Sequence, residues 1–160
     1  MTLTARIATT GDITFVWTCR QELAGPVTRQ SQTVEVFADH KTWMTQAVSD
    51  PGRLFLIAQK DDVPIGYVRF DPTTNPTGWR VSLCLRAAYR GGGHGRAALA
   101  LGCAMADQTG RSPQFADIHP TNPASAHVFE ACGFTAIDVR QGADGFNRYI
   151  RTPAETEPTL

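Results

Sequence analysis

At 160 residues, with 15 Lys and Arg balanced by 15 Asp and Glu, 42% hydrophobic and 19% charged, the chain reads as one globular domain without net charge. That balance excludes a chain-wide field favouring nucleic acid or an anionic membrane. No window approaches the ~20 apolar residues of a spanning helix, and Met1 to Arg6 lacks a signal-type apolar stretch, so a cytoplasmic location is expected.

In chain order, Leu3 to Ala8 is expected as a strand, with Asp12 capping a helix through Phe15, Trp17 and Cys19. Gly25 to Val36 is polar and shows no clear element. Asp39 is expected to cap a second helix carrying Trp43, Met44 and Val48, closed by Asp50-Pro51-Gly52. Leu54 to Ala58 and Pro64 to Phe70 flank Asp61-Asp62 as a β-hairpin, Asp71 to Gly78 is a loop by composition, and Trp79 to Leu85 is a third strand.

Next comes the glycine-dense turn Tyr89-Arg90-Gly91-Gly92-Gly93-His94-Gly95-Arg96. Ala97 to Met105 follows as a helix apolar nearly all round, and therefore buried, with Gly102 packed close against another backbone and Gly110 ending it. After a strand at Phe115 to Ile118, Asn122-Pro123 starts a helix that turns Val128 and Ala131 inward and stops at Gly133. Phe134 to Val139 and Phe146 to Ile150 form a closing pair of strands. From Thr152 on, the pattern is a loose tail, leaving residues 1–151 as the single domain and 152–160 outside it. Hairpins around a strand–turn–helix–strand unit give an α+β, mixed-sheet architecture.

Cys19, Cys84, Cys103 and Cys132 include no CxxC pair and no His at ligand spacing, so they read as small buried hydrophobes in a reducing compartment, with no metal site. The glycine turn is the chemical signal. Glycines admit backbone N–H groups close to a ligand, a helix N-terminus adds unpaired donors and partial positive charge, and Arg90 and Arg96 add full charges, which suits a phosphate or diphosphate. A Walker loop would need Lys-Ser/Thr where Arg96-Ala97 stands, and a dinucleotide fingerprint would need a glycine at 96.

Arg90-Gly91-Gly92-Gly93-His94-Gly95 resembles the Arg/Gln-x-x-Gly-x-Gly/Ala signature of the GNAT superfamily of N-acetyltransferases. Val81 to Leu85 resembles that family's splayed fourth strand, and Asn122-Pro123-Ala124-Ser125 with Gly133-Phe134 resembles its second motif. The resemblance implies a mostly antiparallel sheet flanked by about four helices, acetyl-coenzyme A as donor, and a small-molecule amine as acceptor. It also implies that Leu83, Cys84 and Leu85 lie along the pantetheine arm and that residues 90–96 grip the diphosphate. Asn122 and Ser125 would then stand on its far side, with Phe129 near the thioester. His94, replacing an apolar residue common in the motif, is expected to assist binding.

In that family an amine attacks the thioester directly. Many members carry a tyrosine where this chain has Phe129, as the acid for the departing thiolate. A thiol pKa near 8.5 makes the thiolate a tolerable leaving group without one. His119 and Ser82 are the candidate catalytic residues, because an imidazole titrating near neutrality suits proton removal. The order Trp17, Arg20, Arg29, Ser31, His40, Trp43, then Gly66 to Phe70 with Arg69, resembles the GNAT subgroup that acetylates nucleotide-linked amino sugars, as in pseudaminic acid biosynthesis. The alternatives are a protein N-terminus or another small amine as acceptor, or a sensor that binds acyl-coenzyme A without turnover. Apolar sheet ends make a homodimer plausible.

Overall fold

The structure is a computed structural model that describes residues 2–23, 36–138 and 145–153. Most of the polar 25–36 segment, with Arg29 and Ser31, the 142–144 turn and most of the expected tail lie outside them. One sheet runs through the molecule in the order β1-β2-β3-β4-β5-β7-β6. Its strands are β1 (Leu3–Ile7), β2 (Leu54–Lys60), β3 (Val63–Thr74), β4 (Thr77–Leu85), β5 (Gln114–Ile118), β6 (Thr135–Asp138) and β7 (Asn147–Arg151). All neighbours pair antiparallel except β4 and β5, which run parallel. The helices are α1 (Ile13–Gln21), α2 (Phe37–Ser49), α3 (His94–Asp107) and α4 (Pro123–Ala131). This is the expected α+β architecture.

Strand alternation sends side chains to two separate cores. Leu56, Val68, Phe70, Val81 and Leu85 meet α3 and α4 through Leu99, Cys103 and Phe129. Phe55, Ile57, Tyr67 and Cys84 meet α1 and α2 through Val16, Cys19 and Met44. At the β2–β3 turn, Asp61 and Asp62 both take positive φ, 50° and 66°, the type I′ geometry that matches the strand twist.

Several local expectations need correction. Asp12 precedes α1 without capping it; its carboxylate turns back to accept from the Thr9 amide at 2.8 Å and to pair with Arg6 at 2.7 Å. Asp39 sits inside the first turn of α2, which starts after Val36 with no side-chain cap. Residues 71–78 are not a loop: β3 continues to Thr74 and β4 begins at Thr77, with Thr73 opposite Gly78 and only Asn75-Pro76 turning. Threonines suit a pleated edge whatever the prolines beside them suggest. Helix α3 starts at His94 and exposes Ala97, Ala100, Leu101 and Ala104 along one side, because only one side meets the sheet. Gly102 is close-packed against side chains, not backbone: an added Cβ would lie 3.0 Å from Val68 and 3.1 Å from Phe70. In α4 the buried residue is Phe129, while Ala131 is exposed. Cys132 is only partly buried, unlike the other three cysteines.

Candidate active site

The site begins where the parallel pair comes apart. β4 and β5 are in register only at Trp79↔Gln114 and Arg80↔Phe115. The Trp79 amide donates to the Pro113 carbonyl at 2.9 Å, so backbone groups of alternate residues beyond it, Leu83 and Leu85, face the widening gap. A cavity of about 610 Å³ fills that gap.

At its head lies the glycine turn. Gly91 and Gly93 take φ of 80° and 84°, which a side chain would strain, and an added Cβ at either would meet nothing within 4 Å. The loop is shaped by its backbone, not by crowding, and it delivers the open N-terminus of α3 to the cavity. Gly91, Gly93, Gly95 and Arg96 line the cavity there, and the guanidinium of the exposed Arg96 makes no hydrogen bond or ion pair among the described residues. Gly92 and His94 do not line it. The His94 ring folds back, with Nδ1 donating to the Tyr89 carbonyl at 3.2 Å and its face edge-on to the Tyr89 ring. Arg90 lines the cavity too, but its guanidinium donates to the Leu85 carbonyl and, at 3.4 Å, to that of Glu22. Glu22, just past α1, also accepts from Arg86 at 2.5 Å and from the Ala87 amide. The Ala87 amide, with the Arg86 and Arg90 guanidiniums, holds the Glu22 carboxyl below the usual range despite some burial.

The opposite wall comes from α4. Asn122 caps that helix by accepting from the Ser125 amide at 3.2 Å, and Asn122, Ser125, Val128 and Phe129 line the cavity. The Phe129 ring is buried edge-on against Phe134, 5.0 Å away, and offers no hydroxyl. Cys84 lines the cavity, yet its thiol donates to the Cys19 carbonyl at 3.3 Å; the neighbouring Cys19 side chain and burial push its pKa well up, so it is no nucleophile.

Deeper in, the sheet face beneath α1 and α2 contributes polar groups: Arg69, Asp71, Arg80, Ser82, Asp117 and His119. Arg69 donates to Asp71 at 2.8 Å and to Ser82 Oγ at 3.4 Å, and Asp117 accepts from Arg148 at 3.0 and 3.3 Å. His119 Nδ1 sits 2.7 Å from the Thr121 hydroxyl and accepts from the Thr121 amide at 3.2 Å, its ring edge-on to Phe146. Among the described residues no group of three or more His, Cys, Asp or Glu is placed to hold a metal.

Of the described residues expected at the acceptor, Trp17, Arg20, His40, Trp43 and Arg69, only Arg69 lines this cavity. His40 has no exposed surface and bonds the Ile13 carbonyl at 2.8 Å, serving as a core residue that joins α1 to α2. Trp17 packs on Phe37 and His40. Trp43 lies under the guanidiniums of Arg20 and Arg69, 4.7 and 4.9 Å from its ring centre. Asp71, Arg80 and Asp117 were missed. The available signal was a charge at an alternate position inside an otherwise apolar strand, as in Gln114-Phe115-Ala116-Asp117-Ile118.

The model of the acetyltransferase (GNAT) domain matches residues 3–135. The chain belongs to the GNAT acetyltransferase family. It is accordingly an N-acetyltransferase dependent on acetyl-coenzyme A. No curated protein sequence matches it. Solved GNAT structures share the fold at low identity. A spermidine N-acetyltransferase chimera from Vibrio cholerae SpeG and hSSAT is 17% identical, with TM-score 0.78 over 94% of this chain and 95% of its own. The PaiA N-acetyltransferase of Thermoplasma acidophilum, in complex with coenzyme A, is 17% identical, with TM-score 0.76 over 96% and 100%. The aminoglycoside acetyltransferase AAC(6')-Ib, in complex with coenzyme A and kanamycin, is 18% identical, with TM-score 0.77 over 94% and 95%. This GNAT chain thus has a gap between β4 and β5, a glycine turn at one end and a polar sheet face at the other.

Proposed function

We propose that the acceptor is a small-molecule primary amine that enters over the sheet face beneath α1 and α2, with a nucleotide-linked amino sugar as the acceptor type. The observation that carries this reading is the continuity of one cavity from the glycine turn, past the open edge of β4, to Arg69, Arg80, Ser82 and His119. The polycations spermidine and kanamycin, named in the related structures, suit a face bearing Arg69 and Arg80 poorly, whereas a diphosphate suits it well.

The residues present fit coenzyme A. The amides from Gly91 to Arg96 and the Arg96 guanidinium would hold the diphosphate, and the edge amides of Leu83 and Leu85 would hold the pantetheine arm as an added strand holds a sheet. The bound acetyl thioester supplies an activated carbonyl. Around it, Phe129 and Val128 exclude water, and the pocket must take a proton from the acceptor's ammonium before the neutral amine attacks. His119 is the group we assign to that step. While Nδ1 accepts from the Thr121 amide, neutral His119 carries its proton on Nε2, a donor for developing negative charge; proton acceptance at Nε2 requires the other tautomer, with Nδ1–H turned to the Thr121 hydroxyl and the amide contact given up. Ser82, tied to Arg69, orients the acceptor. Thiol release from acetyl-coenzyme A across amino sugars, nucleotide amino sugars and peptides tests the reading. Turnover of a nucleotide amino sugar, with competition by uridine diphosphate, supports it; turnover of peptides alone overturns the acceptor assignment.

A further inference from the structure

The sheet face under α1 and α2 holds more guanidinium than carboxylate. Asp71 accepts from Arg69 at 2.8 Å and has the Arg53 guanidinium 3.0 Å from its other oxygen as a charge contact without a hydrogen bond, and Asp117 accepts from Arg148 at 3.0 Å. Three arginines thus neutralise the two carboxylates. Arg80 is a fourth arginine on the same face, directly opposite Asp71 on β3 and Phe115 on β5. It is half-buried, and among the described residues its side chain makes no hydrogen bond or ion pair, while its guanidinium nitrogens are still reached by solvent. The planar fork of a guanidinium open to the cavity matches a carboxylate or phosphate.

Arg80 also occupies a junction. It lines the main cavity and a second one of about 330 Å³ under the β3–β4 hairpin, walled by Asp71, Thr73, Thr74, Phe115 and Arg148; Asp71, which also lines both, is the one carboxylate among the described residues of the second and is paired with Arg69. Arg148 stands there over the Phe115 ring, 5.4 Å from its centre, beside the strand position of Arg80. A group attached to an amine in the main cavity and reaching into the second meets two guanidiniums.

We infer that Arg80, with Arg148 behind it, forms a specificity subsite for an anionic group, carboxylate or phosphate, carried by the acceptor amine. This rests on the reading of the main cavity as the amine site. It makes Arg80 a specificity-determining residue and makes the enzyme discriminate against acceptors that are positively charged throughout.

The test measures kcat/KM by thiol release for two matched pairs: glucosamine 6-phosphate against glucosamine, and β-alanine against β-alaninamide. The wild-type protein should favour the anionic member of at least one pair by about tenfold or more, and which pair responds identifies the anion. Arg80→Gln should bring that ratio close to one, and Arg80→Lys should restore part of it. Equal or lower kcat/KM for both anionic members, or a ratio unchanged in Arg80→Gln, would overturn the subsite while leaving acetyl transfer standing. Absence of thiol release with every amine, from protein that binds acetyl-coenzyme A, would overturn the amine-site reading and the subsite with it.

Discussion

The guanidinium of Arg90 donates twice to the carbonyl of Leu85, through Nε at 3.2 Å and Nη2 at 3.1 Å. The last residue of β4 is thereby closed by the first residue of the glycine motif, and the glycine turn is anchored to the strand edge it serves. Arg90→Ala should leave that carbonyl without its donor, at a cost of about 1–3 kcal/mol. Thermal denaturation should show a lowered Tm, and an unchanged Tm would assign Arg90 to the ligand alone.

Asp12 links β1 to α1. Burial raises its carboxyl pKa, but the Arg6 guanidinium and the Thr9 amide and hydroxyl outweigh this and hold it below the usual range. A carboxyl lowered by folding stabilises the native state above its unfolded value, about 3.9, and loses that contribution as pH falls through the folded value. Stability should therefore drop below about pH 4. Asp12→Asn should cost about 1 kcal/mol at neutral pH, the net worth of a hydrogen bond lost from its contacts with Arg6 and Thr9, and flatten this acid limb. Denaturant unfolding between pH 2 and 7 measures both.

The thiols should be quiet enough for thiol-release assays. Burial pushes Cys103 up to about 12, the Cys19 side chain together with burial pushes Cys84 up, and Cys132, also raised by burial, is the most open of the four. In the native state at pH 8, Ellman's reagent should modify Cys132 slowly and the other three not at all; all four should react in guanidinium. Rapid reaction of two native thiols would contradict this placement.

His119 is held by Thr121 on Nδ1, with Phe146 against its ring. If His119 takes the amine proton, His119→Gln should lower kcat by about a hundredfold or more with little change in KM for acetyl-coenzyme A. Thr121→Val should move the pH dependence of kcat without abolishing it. Equal kcat in His119→Gln would remove His119 from the chemistry.

Much of this was legible in the chain. The glycine turn, the Asn122-Pro123 helix start and the Asp61-Asp62 hairpin are local signals, set by φ/ψ demands and capping that a few residues express. What was not legible depends on distant partners. Arg90 was expected at a diphosphate, and its guanidinium instead reaches Leu85 and Glu22 because α1 ends beside β4. His40 looked like an acceptor ligand because nothing in its neighbours reveals that Ile13 waits across the α1–α2 contact. The charged face around Arg80 emerges only when β3, β4, β5 and β7 are laid in register.

The central claim is that the glycine turn and the open edge of β4 hold acetyl-coenzyme A. Calorimetric titration of acetyl-coenzyme A into the wild-type protein and into Arg96→Glu tests it most directly, since Arg96 is exposed at the cavity and its guanidinium makes no other bond among the described residues. One-to-one binding should weaken by about tenfold or more in the variant, 1.4 kcal/mol or above, with Tm of the free protein unchanged. No binding to the wild-type protein, or equal affinity in the two, would contradict it.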